Sequence, residues 1–158
     1  MADERKPIKR SKQLVTLSKE HHELLLFTWK IRQGIRNGTP FTIIAKFVQW
    51  FWQDMLEKHM QKEDLILAPF LPADHPLAAK MMEEHQETEA CVRVIESITD
   101  KAMFELLAET IETNVRFEER QLFPFAEKIV SPEDLDKIQQ KLSALNAVRS
   151  NWENEFWL

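Results

Sequence analysis

The stretch HMQKEDLILAPF, residues 59–70, decides the fold of this chain, because it sets a histidine and a carboxylate four residues apart within the apolar spacing of a long helix. Residues at positions i and i+4 share one face of an α-helix and are about 6 Å apart along its axis. His59 and Glu63 are therefore predicted to lie side by side, where both can reach a single metal ion.

This stretch recurs later in the chain. A shift of 55 residues aligns it with NVRFEERQLFPF, residues 114–125. The shift pairs Glu63 with Glu118, whereas His59 pairs with Asn114. The chain therefore carries the same helical motif twice, and the second copy has an amide where the first copy has a histidine.

Composition favours one domain made of long helices. The chain has 158 residues, a usual length for a single domain, and 44% of them are hydrophobic, which is enough to form a sizeable core. Only two residues are glycine, whereas average usage is about 7%. A chain with so few glycines is poorly suited to a sheet with tight turns.

Charge and hydropathy exclude several functional classes. The formal net charge of −5 argues against a nucleic-acid-binding protein. No apolar stretch approaches the roughly 18 residues that suggest a membrane span, so no membrane association is expected. The single cysteine, Cys91, excludes an internal disulfide framework and is predicted to be a buried, inert thiol. A cytoplasmic location is the expectation.

Apolar residues at three- and four-residue spacing predict four long helices, at about residues 11–37, 39–71, 76–98 and 100–128. A fifth helix is predicted from Ser131, because a serine followed by a proline and then an acid forms a capping-box-like signal. Long helices with short connections favour an all-α fold, an antiparallel up-down-up-down four-helix bundle with an additional C-terminal helix.

Local signals place the ends of some of these helices. Asn37 and Gly38 are predicted to close the first helix, with the glycine just past its end. Thr39 is predicted to cap the second helix, and Pro40 to be its first helical residue. Pro124 predicts a disturbance in the fourth helix.

The chain is divided into three segments: a flexible basic N-terminus (1–10), the bundle (11–130), and a C-terminal helix with an aromatic tail (131–158). The first segment is too polar for a signal peptide. The final residues, NWENEFWL, are unusually aromatic for a terminus and are predicted to pack on the bundle or on a second subunit. Both a monomer and a homodimer are therefore expected as alternatives.

Every helix of the predicted bundle points a residue of metal-ligand type inward. In the first helix, His21 lies on the core face and His22 about 100° further round, so His21 is the better candidate without excluding His22. His85 occupies the core face of the third helix, and Asn114 and Glu118 that of the fourth. His59 and Glu63 of the second helix complete the set of candidate ligands.

Buried glutamates need a physical reason. A carboxylate in an apolar interior is costly unless it is paired or bound to a cation. A metal pair bridged by the two glutamates supplies such a reason. Imidazole and carboxylate together suit iron, and manganese or zinc are the other candidates. A purely structural cluster of buried ion pairs is the alternative reading.

The residues LSKEHH (17–22) and RFEERQLFP (116–124) resemble the first- and fourth-helix signatures of the hemerythrin-like, or HHE cation-binding, family. The resemblance covers roughly residues 11–128. It implies a four-helix bundle that binds one or two non-haem irons. The implied metal ligands are His21, His59, Glu63, His85 and Glu118, with Asn114 in place of a family histidine.

The chain departs from the family pattern at two positions. Met81 stands where oxygen carriers have a second histidine on the third helix, and Asn114 replaces the histidine of the fourth. The ligands that the resemblance implies for one iron are all present. The other iron keeps His85 and the two bridging carboxylates, so its site is expected to be weakened or empty. Glu84 is a candidate replacement ligand.

Three functional hypotheses follow. The leading one is a non-haem iron protein that senses or handles oxygen, nitric oxide, peroxide or iron itself. The second is a metal-free helical interaction module that retains the family fold. The third is an enzyme with a single metal that activates oxygen or peroxide, although the sequence shows no nucleophile triad or nucleotide-binding motif and names no substrate.

Overall fold

The structure is a computed structural model and describes residues 9–145 and 148–158. The first bundle helix is α1 (Val15–Arg36). The second comprises α2 (Phe41–Phe51), a π-helical turn (Trp52–Leu56), α3 (Glu57–Lys62), a π-helical turn (Glu63–Leu67) and a 3-10 turn (Ala68–Phe70). The third is α4 (Pro76–Ile95), and the fourth comprises α5 (Lys101–Phe117), a π-helical turn (Glu118–Leu122) and α6 (Phe123–Ile129). The fifth helix is α7 (Pro132–Ser143).

The four long helices pack in sequence order around one core. Helix α1 packs on α2 and α5, and α4 packs on α2 and α5. Short connections make each helix antiparallel to the one before it. The prediction of an all-α four-helix bundle with an additional C-terminal helix is confirmed.

The internal repeat extends to the backbone. Two of the π-helical turns begin at Glu63 and Glu118, the residues that the 55-residue shift aligns. The N–H groups of Ala68 and Phe123 donate to the carbonyl oxygens of those two glutamates, five residues earlier. Single π-helical turns within α-helices are frequent at functional sites. Here they start at the two residues proposed from the sequence as bridging carboxylates.

The predicted helix ends are confirmed at two places and wrong at one. Gly38, with φ of 75°, follows the end of α1, and Ser131 Oγ accepts a hydrogen bond from the Asp134 N–H at the start of α7. Thr39 does not cap the second helix. Helix α2 begins at Phe41 after Pro40, and the Thr39 hydroxyl instead lies 3.5 Å from the carbonyl oxygen of Phe156 in the C-terminal tail.

A layer of buried polar residues divides the core into two apolar clusters. The tail-side cluster joins α1, α2, α4 and α5, and it includes Leu24, Phe27, Ile31, Ile44, Phe47, Phe51, Val92, Phe104, Leu107 and Ile111. The α7-side cluster lies beyond the other face of the polar layer, and it includes Leu14, Leu17, Leu67, Met81, Leu122, Phe123, Leu135, Ile138 and Leu142. Met81 is therefore core filler, as its apolar side chain suggests.

The C-terminal tail lies along the tail-side cluster. Trp157 is 9% exposed within that cluster, and Trp152 and Phe156 pack against it. Residues 148–158 are not helical, so the fifth helix ends well before the terminus. Helix α7 covers the opposite end of the bundle, and the C-terminal segment thereby contacts both apolar clusters.

Residues 1–8 of the segment expected to be flexible lie outside the described residues. Arg10, the last residue of that segment, contacts the bundle. Its guanidinium donates to Ser18, Glu127 and Glu119, and its side chain is 5% exposed. The sequence pattern could not show this, because two of these three partners lie more than 100 residues away.

Within the described residues, no helix is both long and apolar enough to cross a membrane. Cys91 is 7% exposed, in line with the prediction of a buried thiol. Burial raises the pKa of this thiol, which keeps it in the unreactive protonated form at neutral pH.

Candidate metal centre

The polar layer contains all the residues that the sequence proposed as ligands. They are 4% exposed or less, and they come from four different helices: His21, His59, Glu63, His85, Asn114 and Glu118. His22 is exposed on the outer face of α1. The structure therefore brings His21, and not His22, to the centre of the bundle.

Four of these residues converge on one point. The Nε2 atom of His21 lies 2.9 Å from Glu118 Oε1 and 3.4 Å from Glu63 Oε2. His59 Nε2 lies 3.3 Å from the same oxygen of Glu63. One donor atom from each residue lies within 4.8 Å of the others. Ligands bound at about 2.1 Å are up to about 4.2 Å apart, so a small contraction would suit a metal ion.

His85 faces the same two carboxylates from the other side. Its Nε2 lies 3.0 Å from Glu63 Oε1 and 2.9 Å from Glu118 Oε2. Each glutamate thus turns one oxygen towards the His21 side and its other oxygen towards His85. This is the arrangement expected of carboxylates that bridge two adjacent cation positions.

Several of these atoms have no hydrogen-bond partner among the described residues. Both carboxylate oxygens of Glu63 and the Nε2 atom of His59 are fully buried and lack a partner with acceptable hydrogen-bond geometry. An unsatisfied buried polar group costs about 1–3 kcal/mol, and more when it is charged. A cation at this point would satisfy all three atoms, so the residues present fit a metal.

The other ring nitrogen of each histidine meets a second carboxylate. Nδ1 of His21 lies 2.6 Å from Glu119, and Nδ1 of His59 lies 2.7 Å from Glu20. Nδ1 of His85 lies 2.8 Å from Asp64. An ionised carboxylate only accepts, so each Nδ1–H donates and each Nε2 faces the interior. Carboxylate–histidine pairs of this kind orient metal-binding imidazoles in proteins.

These outer carboxylates form a closed ring around the bundle. Each helix supplies one to the ligand position on a neighbouring helix: Glu20 to His59, Asp64 to His85, Glu84 to Asn114 and Glu119 to His21. The fourth contact is a hydrogen bond of 3.1 Å from Asn114 Nδ2 to Glu84 Oε1. Position 114 therefore keeps its outer carboxylate although it lacks the histidine.

Sequence reasoning missed Glu20, Asp64 and Glu119, and it treated Glu84 as a candidate ligand. The structure instead places Glu84 against the side-chain amide of Asn114. A signal existed in the sequence, because each outer carboxylate is the chain neighbour of an inner ligand. The four dipeptides are EH at 20–21, ED at 63–64, EH at 84–85 and EE at 118–119.

Pro124 and Arg10 together support the ring at Glu119. Phe123 donates to Glu118, and Pro124 has no N–H to donate to the next carbonyl, that of Glu119. Arg10 Nη2 supplies the missing donor at 2.7 Å and also contacts the Glu119 carboxylate at 3.1 Å. The phenyl ring of Phe123 stacks on His21, with centroids 5.4 Å apart, and further restrains the imidazole.

The carboxylates around the centre favour protonated histidines. Burial alone would lower the pKa of His85, but hydrogen bonds with Asp64 and Glu118, together with the nearby charge of Glu63, raise that pKa to about 12. Burial likewise opposes protonation of His21, yet Glu118 and Glu119 raise its pKa well above 6.5. Binding a metal would replace these protons, because a ligating imidazole must give up the proton on the coordinating nitrogen.

The outer and inner carboxylates differ in their own ionisation. Burial alone would raise the pKa of Glu119, but hydrogen bonds from His21 and Ser18 lower it to about 2, so this group stays ionised. Burial raises the pKa of Glu118, and the neighbouring charge of Glu63 raises it further. A cation between these two glutamates would relieve that repulsion.

Comparison with known proteins bears on this site. The family model for the Hemerythrin HHE cation binding domain matches residues 13–126, which contain every residue of the inner set and of the ring. No curated protein and no solved structure matches the chain. A match over most of the chain, together with the bundle and its buried His/Glu cluster, shows that this chain belongs to the hemerythrin HHE cation-binding family.

Proposed function

We propose that this protein binds non-haem iron inside the bundle and uses it to sense or handle a small ligand such as oxygen, nitric oxide or peroxide, or iron itself. The observation that carries the proposal is Glu63, whose two oxygens are fully buried and without a hydrogen-bond partner among the described residues. His21, His59, Glu63 and Glu118 would hold the first metal ion.

The donor types support iron over most other cations. Two imidazole nitrogens and two carboxylate oxygens suit iron, manganese and zinc, whereas calcium and magnesium prefer oxygen ligands alone. The described cluster offers no thiolate, since Cys91 lies in the tail-side cluster. The single buried cysteine also supports a reducing compartment, and we propose the cytoplasm.

Bound iron would supply a redox-active centre at which a small ligand can be held. The residues of the chain do the positioning. Glu20 and Glu119 fix the imidazoles of His59 and His21 with their Nε2 atoms inward. The two apolar clusters exclude bulk water above and below the centre, which strengthens the electrostatic attraction between the glutamates and a cation.

One observation favours the alternative, a metal-free interaction module. Protonated imidazoles and ionised carboxylates can neutralise one another, and the Nε2 atoms of His21 and His85 each lie 2.9 Å from a carboxylate oxygen of Glu118. The alternative predicts that neither iron nor a chelator changes the melting temperature.

Metal content decides between the two functions. The protein is purified without chelator, loaded with Fe(II) under anaerobic conditions, desalted and measured by elemental analysis. We expect at least one iron per chain in the wild type and none in H21A or E63A. H22A is the matched control, because His22 is the next residue in the chain but is exposed, and it should keep its iron.

Thermal melting provides an independent readout. A ligand that binds only the folded state stabilises it by about 2.7 kcal/mol at one hundred times its dissociation constant. Excess Fe(II) should therefore raise the melting temperature of the wild type and of H22A, and leave that of E63A unchanged. A wild-type chain that takes no metal and melts at a constant temperature would refute iron binding and support the interaction module.

A further inference from the structure

The Asn114 side chain is oriented by its hydrogen bond to Glu84. The distance from Asn114 Nδ2 to Glu84 Oε1 is 3.1 Å, and Asn114 is 4% exposed. An ionised carboxylate accepts hydrogen bonds and cannot donate them, so it selects the NH₂ group of the amide. The amide oxygen, Oδ1, must then point away from Glu84.

Comparison with His59 indicates what lies along that direction. Asn114 and Glu118 are four residues apart and share a face of the fourth helix, as His59 and Glu63 do on the second. Glu20 meets the outer nitrogen of His59, and Glu84 meets the outer nitrogen of Asn114. The corresponding inner atom of His59 is Nε2, and the corresponding inner atom of Asn114 is Oδ1.

An amide oxygen in that direction would complete a second cation position. The donors there would be Nε2 of His85, Oε1 of Glu63, Oε2 of Glu118 and Oδ1 of Asn114. The two carboxylate oxygens are those that face His85, at 3.0 and 2.9 Å from its Nε2. The first position has two nitrogens and two oxygens, whereas the second has one nitrogen and three oxygens.

We propose that the second position is a distinct, oxygen-rich cation site that accepts manganese(II) beside iron at the first position. The inference rests on the proposed function, because it needs an occupied first position. Carboxylate and carbonyl oxygens suit manganese, and replacing an imidazole by an amide oxygen removes a donor that favours iron. Glu84 is a positioning residue, since it acts on the cation through Asn114.

The position of Glu84 also suggests how the metal preference of the second position could be changed. Asn114→His would place an imidazole against Glu84. This carboxylate has the same position beside residue 114 that Glu20 has beside His59. Both positions would then have two nitrogens and two oxygens. We expect N114H to take iron at both positions, and the wild type to take one iron and one manganese.

The experiment is a sequential anaerobic metal titration. Metal-free protein receives one equivalent of Fe(II), and Mn(II) is then added in steps. Bound metal is measured by elemental analysis after desalting, and the Mn(II) electron paramagnetic resonance signal gives the dissociation constant. We expect one iron and one manganese per wild-type chain. Asn114→Leu, which removes the oxygen donor, should weaken manganese binding at least about tenfold.

Glu84→Leu tests the positioning role, and Glu83→Leu is its matched control. Glu83 is the preceding residue on α4 and is exposed. Loss of an outer partner weakens metal binding about 10–100-fold, so E84L should bind manganese that much more weakly while E83L binds it as the wild type does. Recovery of tight binding in the conservative variant E84D would support orientation of the amide as the cause.

The outcomes separate this inference from the proposed function. Manganese bound as tightly by N114L as by the wild type would overturn the inference, as would one iron with no manganese, or a second iron in the wild type when Fe(II) and Mn(II) are both supplied in excess. In these cases iron at the first position still stands. A wild-type chain that binds neither metal would overturn both the inference and the proposed function.

Discussion

Phe156 occupies the space that a side chain at Gly34 would need. A Cβ atom built on Gly34 would lie 2.5 Å from Phe156 Cε1 and 2.7 Å from Phe156 Cδ1. Glycine inside a helix costs about 1 kcal/mol relative to alanine. Gly34 therefore weakens α1 but allows the C-terminal tail to pack closely against that helix.

Gly34→Ala should destabilise the full chain, because the methyl group displaces Phe156. Overpacking of this kind costs about 1–3 kcal/mol, which exceeds the gain in helix propensity. In the background of Phe156→Ala the closest obstacle is removed and only Ile44 Cδ1, at 3.2 Å, stays near, so the same substitution should stabilise by up to about 1 kcal/mol. Urea denaturation of the four chains measures both effects. The same sign in both backgrounds would show that Phe156 does not occupy this space in solution.

Asp54 anchors the start of the tail. It accepts hydrogen bonds from Arg149 Nε at 2.7 Å, from the Ser150 N–H at 2.7 Å and from the Ser150 hydroxyl at 2.8 Å. Hydrogen bonds to charged groups contribute about 1.5–3 kcal/mol. Asp54→Ala should lower the free energy of unfolding by about 2–3 kcal/mol and make the tail sensitive to proteases near Arg149.

Glu23→Gln is the control for this prediction. Glu23 pairs with the same arginine, at 2.9 Å from Nη1, but both side chains are well exposed. Exposed ion pairs contribute about 0–1 kcal/mol, so E23Q should change stability little. Equal effects of D54A and E23Q would contradict the anchoring role of Asp54.

The stability contributed by Asp54 should depend on pH. Burial alone would raise the pKa of this carboxyl, but the bonds from Arg149 and Ser150 outweigh burial and lower the pKa below 3.8. A group with a lowered folded pKa stabilises above its unfolded pKa and loses that contribution as pH falls through the folded value. The stability difference between wild type and D54N should therefore be constant near neutral pH and shrink below about pH 4. A difference independent of pH down to acid unfolding would argue against the ionised Asp54.

Glu20→Ala should weaken iron binding at the first position about 10–100-fold, the usual effect of losing an outer carboxylate. The substitution removes the acceptor that holds Nδ1–H of His59. Lys62→Met is the matched control, because Lys62 is the other partner of Glu20 and its loss leaves the contact with His59 in place. Competition with a coloured chelator measures the affinities. Equal weakening in both variants would mean that the charge of the pair, and not the orientation of His59, controls binding.

The fold and the inner residues of the centre could be predicted from the sequence because both follow helical periodicity. A single apolar stripe per helix gave the bundle, and His21, His85 and Glu118 fall on those stripes. The 55-residue shift pairs the second helix with the fourth, and the π-helical turn that begins at Glu63 recurs with the same shift at Glu118.

The outer ring could not be predicted in the same way, because it depends on contacts between helices. Glu119 reaches His21 across 98 residues of sequence, and Glu20 reaches His59 across 39. The rotation of each helix about its axis decides which carboxylate reaches a neighbouring helix. The apolar stripe fixes that rotation only coarsely. Arg10 and Thr39 were missed for the same reason, since their partners are remote in sequence.

The hydrogen bond between Glu84 and Asn114 has a genetic consequence. Codons for asparagine and histidine differ only in their first base, so one point mutation interconverts the two residues at position 114. The outer carboxylate, Glu84, already lies beside position 114. On the metal preferences proposed above, a lineage that carries this chain would exchange one preference for the other in a single evolutionary step, and return by the same route.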